Sequence, residues 1–371
     1  MSIAGPELKK TFNLAAHKPI GWQEGFFTNQ YGHRLRYGVA PATTDQKRGT
    51  IILAHGYGEF IDQYYLAMQE YQKMGFDVWA MDFYGFGKSG RDNPKYPHRP
   101  SAKGMLRHVK DLDHFITDVV TPIPGRPLIL SAHSMGGHIG LLYLQRHPGV
   151  FDGAVMSSPM FDIFRFGAPA FMRPLVRSIF NLASVVGFKN AQVPATPALW
   201  DKITRVSNAF SDTSERGGLR GAFKELAQGA MPDIHIQRPT FGWVSASYKT
   251  IAHSMKTSEL RKVTIPILIG SARVESLVDI HAHERAAQIM PNATIARFPT
   301  AQHFLWFEQD ENYNLWLGRV QSFVARIATR FETNPLLARQ HRPGGEDPAK
   351  ALIRAAFRRP GTHDPGGQNP S

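Results

Sequence analysis

The strongest chemical signal in the chain is a serine set between an apolar run and a helical pattern, in Leu128-Ile129-Leu130-Ser131-Ala132-His133-Ser134-Met135-Gly136-Gly137-His138. A strand that turns sharply into a helix at a serine lifts the hydroxyl clear of the sheet. It also aims the next backbone N–H at a developing oxyanion. So tight a turn admits only minimal side chains two residues either side of the serine. Ala132 and Gly136 stand there, giving A-x-S-x-G where G-x-S-x-G is the usual form. A serine in an ordinary helix-capping turn would match the same five residues, but the strand before and the helix after select the nucleophile reading. Ser134 is then the attacking group, and the N–H of Met135 is one oxyanion donor.

Upstream, Ile51-Ile52-Leu53-Ala54-His55-Gly56-Tyr57-Gly58-Glu59 ends a buried-type strand in a glycine turn, where the second half of an oxyanion hole belongs. The N–H of Tyr57 is the expected donor. Serine is a weak nucleophile without a base, and the chain holds 16 histidines. In sheets that carry this turn the order is serine, acid, histidine, each at a strand's carboxyl end. His303, after an apolar run at 294–298, fits. His281 and His283 open a helical pattern and read as surface residues. His133 and His138 adjoin the serine but point elsewhere on the turn. The acid should follow the run at 265–270, where Glu275 and Asp279 both qualify; either would hold the imidazole in one tautomer. Asp279, just before a helix, would equally serve as a helix-terminal carboxylate satisfied by the dipole.

These residues need a scaffold, and the hydrophobic pattern supplies one. Short apolar runs at 50–54, 77–81, 127–131, 153–157, 265–270 and 294–298 alternate with helical patterns at 62–74, 102–120, 136–146, 280–290 and 313–331. That alternation predicts a parallel sheet with crossover helices. Segments 26–30 and 34–39 flank Tyr31-Gly32-His33 as a hairpin entering the sheet. Between 159 and 261 the rhythm breaks into helical fragments punctuated by proline and glycine, which predicts a helical insertion between two halves of one sheet. The resulting division is an N-terminal extension (1–25), a core (26–158 and 262–333), a cap (159–261) and a disordered Pro/Gly-rich basic tail (334–371). Within the tail, 349–359 has the pattern of a short basic amphipathic helix, although its length makes it marginal in isolation.

With 371 residues, 42% of them apolar, the chain can fill a large core. It has no cysteine, which excludes disulfides, thiolate metal sites and a cysteine nucleophile. The formal net charge of +13 favours anionic partners. No nucleic-acid module is visible, so an anionic membrane surface touched peripherally is the expected partner of that charge. The first residues lack a long apolar core and no window is long enough to span a bilayer. A cytoplasmic protein, membrane-associated at most, is the expectation.

From about 26 to 328 the chain resembles the monoglyceride lipase and lysophospholipase branch of the α/β-hydrolases. The resemblance rests on Ala54–Glu59, on Met81-Asp82-Phe83-Tyr84-Gly85-Phe86-Gly87-Lys88-Ser89-Gly90, on Ala132–Gly137, and on the stretch 266–279 with His303. It implies an α/β-hydrolase fold, a mostly parallel sheet flanked by helices with an inserted helical cap. It also implies hydrolysis of monoacylglycerol or lysophospholipid esters with no metal and no organic cofactor. Counted from Pro266, Glu275 falls on the family's catalytic aspartate and Asp279 on a second acidic position. Three departures are Ala132 for glycine, Glu275 for aspartate, and Tyr84 and Phe86 where the family has arginine and histidine. Cap side chains Phe161, Ile163, Phe164, Phe166, Phe171, Met172, Leu175, Ile179 and Phe180 would line an acyl pocket, dip into lipid or pack as cap core. Two other readings remain: an aminopeptidase, whose ammonium anchor would come from cap acids such as Asp162, Asp201, Asp212, Glu215, Glu225 or Asp233, and a non-catalytic binding relative.

Overall fold

The computed structural model describes residues 17–92, 95–163, 172–194 and 236–334, together with 218, 221, 222, 234 and 337. The tail helix at 349–359, Phe164, Phe166 and Phe171, and the cap acids Asp201, Asp212, Glu215, Glu225 and Asp233 lie outside these residues.

Among the described residues the chain builds one eight-stranded sheet in the order β1-β2-β4-β3-β5-β6-β7-β8. The strands are β1 (Gln23–Thr28), β2 (Arg34–Ala40), β3 (Gly49–Ala54), β4 (Phe76–Met81), β5 (Leu128–His133), β6 (Gly153–Ser157), β7 (Ile267–Val274) and β8 (Ala293–Gln302). β1 and β2 form the expected hairpin and join β4 antiparallel; every later pairing is parallel. β3, β5 and β6 are buried along their whole length. Their unbroken apolar sequences reflect a sheet covered on both faces, where no solvent side exists to impose alternation.

The covering helices are α1 (Tyr65–Lys73), α2 (Met105–Asp118), α3 (Met135–Arg146), α4 (Arg173–Ala183), α5 (Phe241–Ser254), α6 (Thr257–Leu260), α7 (Ile280–Ile289) and α8 (Asp310–Thr333). Side chains of α2, α3, α5 and α7 share one hydrophobic core with the sheet. Those of α1 and α8 share a second core on the opposite face. Two boundaries differ from the sequence pattern for local reasons. Residues 61–64 form a 3-10 turn before α1, and α2 starts at Met105 because Gly104 has φ +93°, which no helix accommodates.

Between β6 and β7 the longer elements among the described residues are helices, joined by turns and extended segments. α4 continues through a π turn at Ser184–Phe188. Phe180 of α4 packs against Phe241 and Tyr248 of α5. α5 is tied to the core by a 2.9 Å bond between His138 Nε2 and Thr250 Oγ1, and by Gln145 Nε2 donating to the Ser254 carbonyl at 2.8 Å. The strands β3 to β8 run parallel, so the loops after β3, β5, β6, β7 and β8 open on the same edge of the sheet.

Candidate active site

Ser134 is the N-cap of α3, at φ 49° and ψ −114°. That is a left-handed conformation for a residue with a side chain, and such backbone costs of order 1–3 kcal/mol. Its surroundings hold it there. Ser134 N–H donates to the Ser157 carbonyl at 3.0 Å, and its own carbonyl accepts from Met160 N–H at 2.8 Å. A Cβ at Gly136 would lie 2.3 Å from the Ala54 carbonyl oxygen, so only glycine lets α3 start this close to β3. The Ala132 methyl has room beside α3, where the close approach at Gly140 is to Leu130, 2.6 Å from a built Cβ. Even a Cβ built on Gly140 would stand 3.9 Å from the Ala132 methyl.

His303 follows β8 directly and is buried. Its Nδ1–H donates to Glu275 Oε2 at 2.6 Å, leaving Nε2 as the nitrogen open to a proton from elsewhere. Glu275 follows β7 and is equally buried at its side chain. Its Oε1 accepts from the N–H groups of Ser276, Leu277 and Val278 at 2.9, 2.7 and 3.3 Å. Burial by itself would raise this carboxyl; His303 and the loop amides overcome it and hold the group below its ordinary range. Asp279 does something else: its Oδ1 accepts from His281 N–H at 3.0 Å as the N-cap of α7. Of the two acids the sequence left open, Glu275 is the one on the imidazole.

Tyr57 lies in the loop after β3, and Met135 is the first residue of α3. A first-turn helix amide has no acceptor within its own helix. The Tyr57 side chain is held at two points. Its hydroxyl donates to the Gln237 carbonyl at 2.8 Å, and its ring meets Trp243 edge-on at 4.6 Å. Below it, His55 Nδ1–H donates to the Gly56 carbonyl at 2.8 Å while Nε2 accepts from Phe83 N–H at 3.1 Å. The Asp82–Gly87 loop therefore supports the turn that carries Tyr57. Phe86, in the place of the usual histidine, packs on His55 and Tyr57.

Ser134 and His303 line one cavity with Tyr57, Glu59 and His133. The rest of its wall is mainly apolar and includes Met160, Ile163, Trp243, Leu277, Val278 and Phe304. Of the apolar wall only Ile163 was expected from the sequence; Met160, Trp243, Leu277, Val278, Phe304 and Pro239 were not. Trp243 and Pro239 come from a stretch without motif. His133 was expected to point away from the site; instead its ring lies 4.8 Å from that of His303. Its Nδ1 sits 3.1 Å from the Ser157 carbonyl. The error lies in the reversal: β5 ends at His133, and at Ser134 the backbone leaves the strand conformation with φ 49°, so strand alternation no longer separates the two neighbours. Glu59 accepts from Gly56 N–H at 2.7 Å and from the Tyr64 hydroxyl. A second correction concerns His283, read as a surface residue but fully buried; His281 beside it is exposed. Among the described residues no cluster of side chains suited to a metal ion is present.

The cap side chains named from the sequence divide three ways. Ile163 lines the cavity, Phe161 and Phe180 are buried core, and Leu175 and Ile179 face solvent. Asp162 is buried and is not among the residues lining the cavity.

Comparison with known proteins points the same way. The family model described as "Serine aminopeptidase, S33" (Hydrolase_4) matches residues 45–310. The chain is 31% identical over 264 residues to lysophospholipase L2 of Escherichia coli K12, spanning 68% of this chain and 73% of that one. Over a shorter stretch of 143 residues it is 34% identical to monoacylglycerol lipase of Mycolicibacterium smegmatis, covering 37% of this chain and 46% of the other. Among solved structures, a soluble variant of monoglyceride lipase from Saccharomyces cerevisiae superposes with a TM-score of 0.62 at 17% identity. That superposition covers 81% of this chain and 94% of the yeast one.

Proposed function

Because the chain belongs to the α/β-hydrolase family described as serine aminopeptidase, S33, we propose that it is a carboxylic ester hydrolase acting on lipid esters of the monoacylglycerol or lysophospholipid type. Ser134, His303 and Glu275 form its triad, and residues 159–261 form its cap. The observation that carries this reading is the pairing of a backbone-strained Ser134 with a buried His303–Glu275 dyad in one mainly apolar cavity. The named relatives agree with it.

The chemistry follows from the geometry. With Nδ1–H engaged by Glu275, Nε2 of His303 takes the Ser134 proton as Oγ attacks the ester carbonyl carbon. The oxyanion of the tetrahedral intermediate accepts from the N–H groups of Tyr57 and Met135, each worth on the order of 3 kcal/mol. Nε2–H then protonates the departing alkoxide, leaving an acyl group on Ser134. Water, deprotonated by the same nitrogen, releases the acid and restores the serine. No cofactor takes part.

The apolar wall favours a medium- or long-chain acyl group over a short one. An exposed apolar stripe on the cap supports delivery from a lipid surface. Leu175, Ile179, Leu182, Val185, Val186 and Phe188, between 54% and 74% exposed, follow α4 and its π turn. Arg177 and Lys189 on the same segment are exposed too. Apolar side chains flanked by cations suit the surface of an anionic bilayer. Peripheral contact is the form this takes, since no helix among the described residues is long and apolar enough to cross a membrane.

The test is hydrolysis of p-nitrophenyl esters of graded chain length beside aminoacyl p-nitroanilides. Cleavage of medium and long esters, abolished in Ser134→Ala, is expected. Cleavage of the aminoacyl amides with no ester turnover would give the site to an aminopeptidase.

A further inference from the structure

Resting on Ser134 as the nucleophile, we propose that His283 is a positioning residue for the reaction. It clamps the segment that braces the nucleophile turn against the acid loop. His283 sits on α7 and touches none of the reacting groups. Its Nε2 lies 2.7 Å from the Pro159 carbonyl oxygen, and its Nδ1 lies 3.0 Å from Ser271 Oγ on β7. A carbonyl accepts only, so Nε2 carries the hydrogen and Nδ1 accepts from the Ser271 hydroxyl. Burial keeps the ring neutral, pushing its pKa down to about 4. The edge of the ring packs against Phe161.

What His283 grips is a short strut, residues 158–163, with the nucleophile turn on one side and the acid loop on the other. Ser158 turns the chain with φ +40°, and its N–H donates to the Gly270 carbonyl at 2.8 Å. Pro159 presses onto the first turn of α3, where a Cβ at Gly137 would come within 2.5 Å of it. Met160 N–H holds the Ser134 carbonyl at 2.8 Å. At the far end, Asp279 N–H donates to the Asp162 carbonyl at 3.1 Å, and Ile163 bridges Val278, three residues past Glu275. The strut thus joins the loop carrying the acid to the turn carrying the nucleophile. His283 crosses from the helix behind the acid loop to fix the strut at Pro159, near the nucleophile turn. Releasing the Pro159 carbonyl lets the strut relax and moves Ser134 relative to His303. Displacements of about 1 Å at such a distance from the chemistry can cost on the order of a hundredfold in rate.

Three substitutions separate positioning from simple packing. His283→Phe keeps the ring and loses both polar atoms. His283→Gln places an amide N–H near the position of Nε2, and His283→Asn reaches only to the position of Nδ1. The readouts are kcat and KM for a p-nitrophenyl ester, the rate at which a fluorophosphonate labels Ser134, and circular dichroism to show that each variant is folded. For His283→Phe and His283→Asn we expect kcat and the labelling rate to fall together by about ten- to a hundredfold, with KM within about twofold. His283→Gln should recover most of the loss. Where the phenylalanine variant does not fold, the Gln and Asn pair decides. Ser271→Ala, which removes the hydroxyl that donates to Nδ1 and leaves the bond to the Pro159 carbonyl in place, should show a milder form of the same kcat loss. Full-rate His283→Phe, or His283→Gln no better than His283→Asn, would overturn the proposal. Absence of labelling in the wild type would instead strike the nucleophile assignment itself, so the two failures are distinguishable.

Discussion

At the scale of single residues, the environment of each carboxylate decides which acid serves the imidazole. Glu275 and Asp279 are four residues apart, and both are available on sequence grounds. The longer glutamate side chain reaches His303 from the end of β7, while three loop amides hold its second oxygen. Asp279 caps α7. Glu275→Gln keeps the shape and removes the charge that orients and stabilises the imidazolium, so kcat should drop by about a thousandfold or more. Asp279→Asn should leave kcat within about threefold, since Asn and Asp cap helices almost equally well. Parallel steady-state kinetics on the two variants check this; equal losses would remove the distinction.

At the scale of elements, the site is read from strand ends. The serine turn, the His55-Gly56 turn and His303 were legible in the sequence because each lies just after a short apolar run, and all three stand at carboxyl ends of β3, β5 and β8. What the sequence hid was burial of polar side chains by tertiary packing. His283 opens a helix in a polar-looking stretch, and nothing in its neighbours announces that Ser271 and Pro159 will face it. His133 was misplaced because the backbone reversal at Ser134 changes which face its neighbour occupies. The proposed cap showed in the sequence only as an interruption; that Trp243 lines the cavity while Leu182 and Val185 face solvent depends on how α4 and α5 pack. This element carries its own prediction. Leu182→Glu with Val185→Glu should weaken co-sedimentation with vesicles containing anionic phospholipid by about tenfold, through lost apolar contact and added repulsion. Hydrolysis of a soluble short ester should stay unchanged. Vesicle binding equal to the wild type would contradict the docking role of the stripe.

At the scale of the whole molecule, buried ionisable groups set the dependence of stability on pH. Burial pushes His108, His138 and His283 down to about 3, 3 and 4, against roughly 6.5 in the unfolded chain. Between those values the unfolded chain takes up protons that the fold refuses, so this contribution is lost as pH falls below about 6.5. Asp111 and Asp152, raised by burial to about 6 and about 7, act with the opposite sign. Their folded forms keep protons that the unfolded chain releases, so their contribution declines as pH rises through those values. Glu275, held low, adds stability above its ordinary value that is lost as pH falls through the lower folded one. Three imidazoles outweigh two carboxyls, so the urea midpoint should fall on acidification from about pH 6.5 to 4.5. Replacing Asp111 and Asp152 by Asn should steepen that fall; a midpoint that rises on acidification would contradict the sign. Nucleophilic attack by the Ser134 oxygen is tested most directly by mass spectrometry of the fluorophosphonate-treated protein. One adduct per chain on the peptide containing Ser134, formed by the wild type and absent from Ser134→Ala, is the result expected. A folded wild-type protein that stays unlabelled, or carries its adduct elsewhere, would contradict the account.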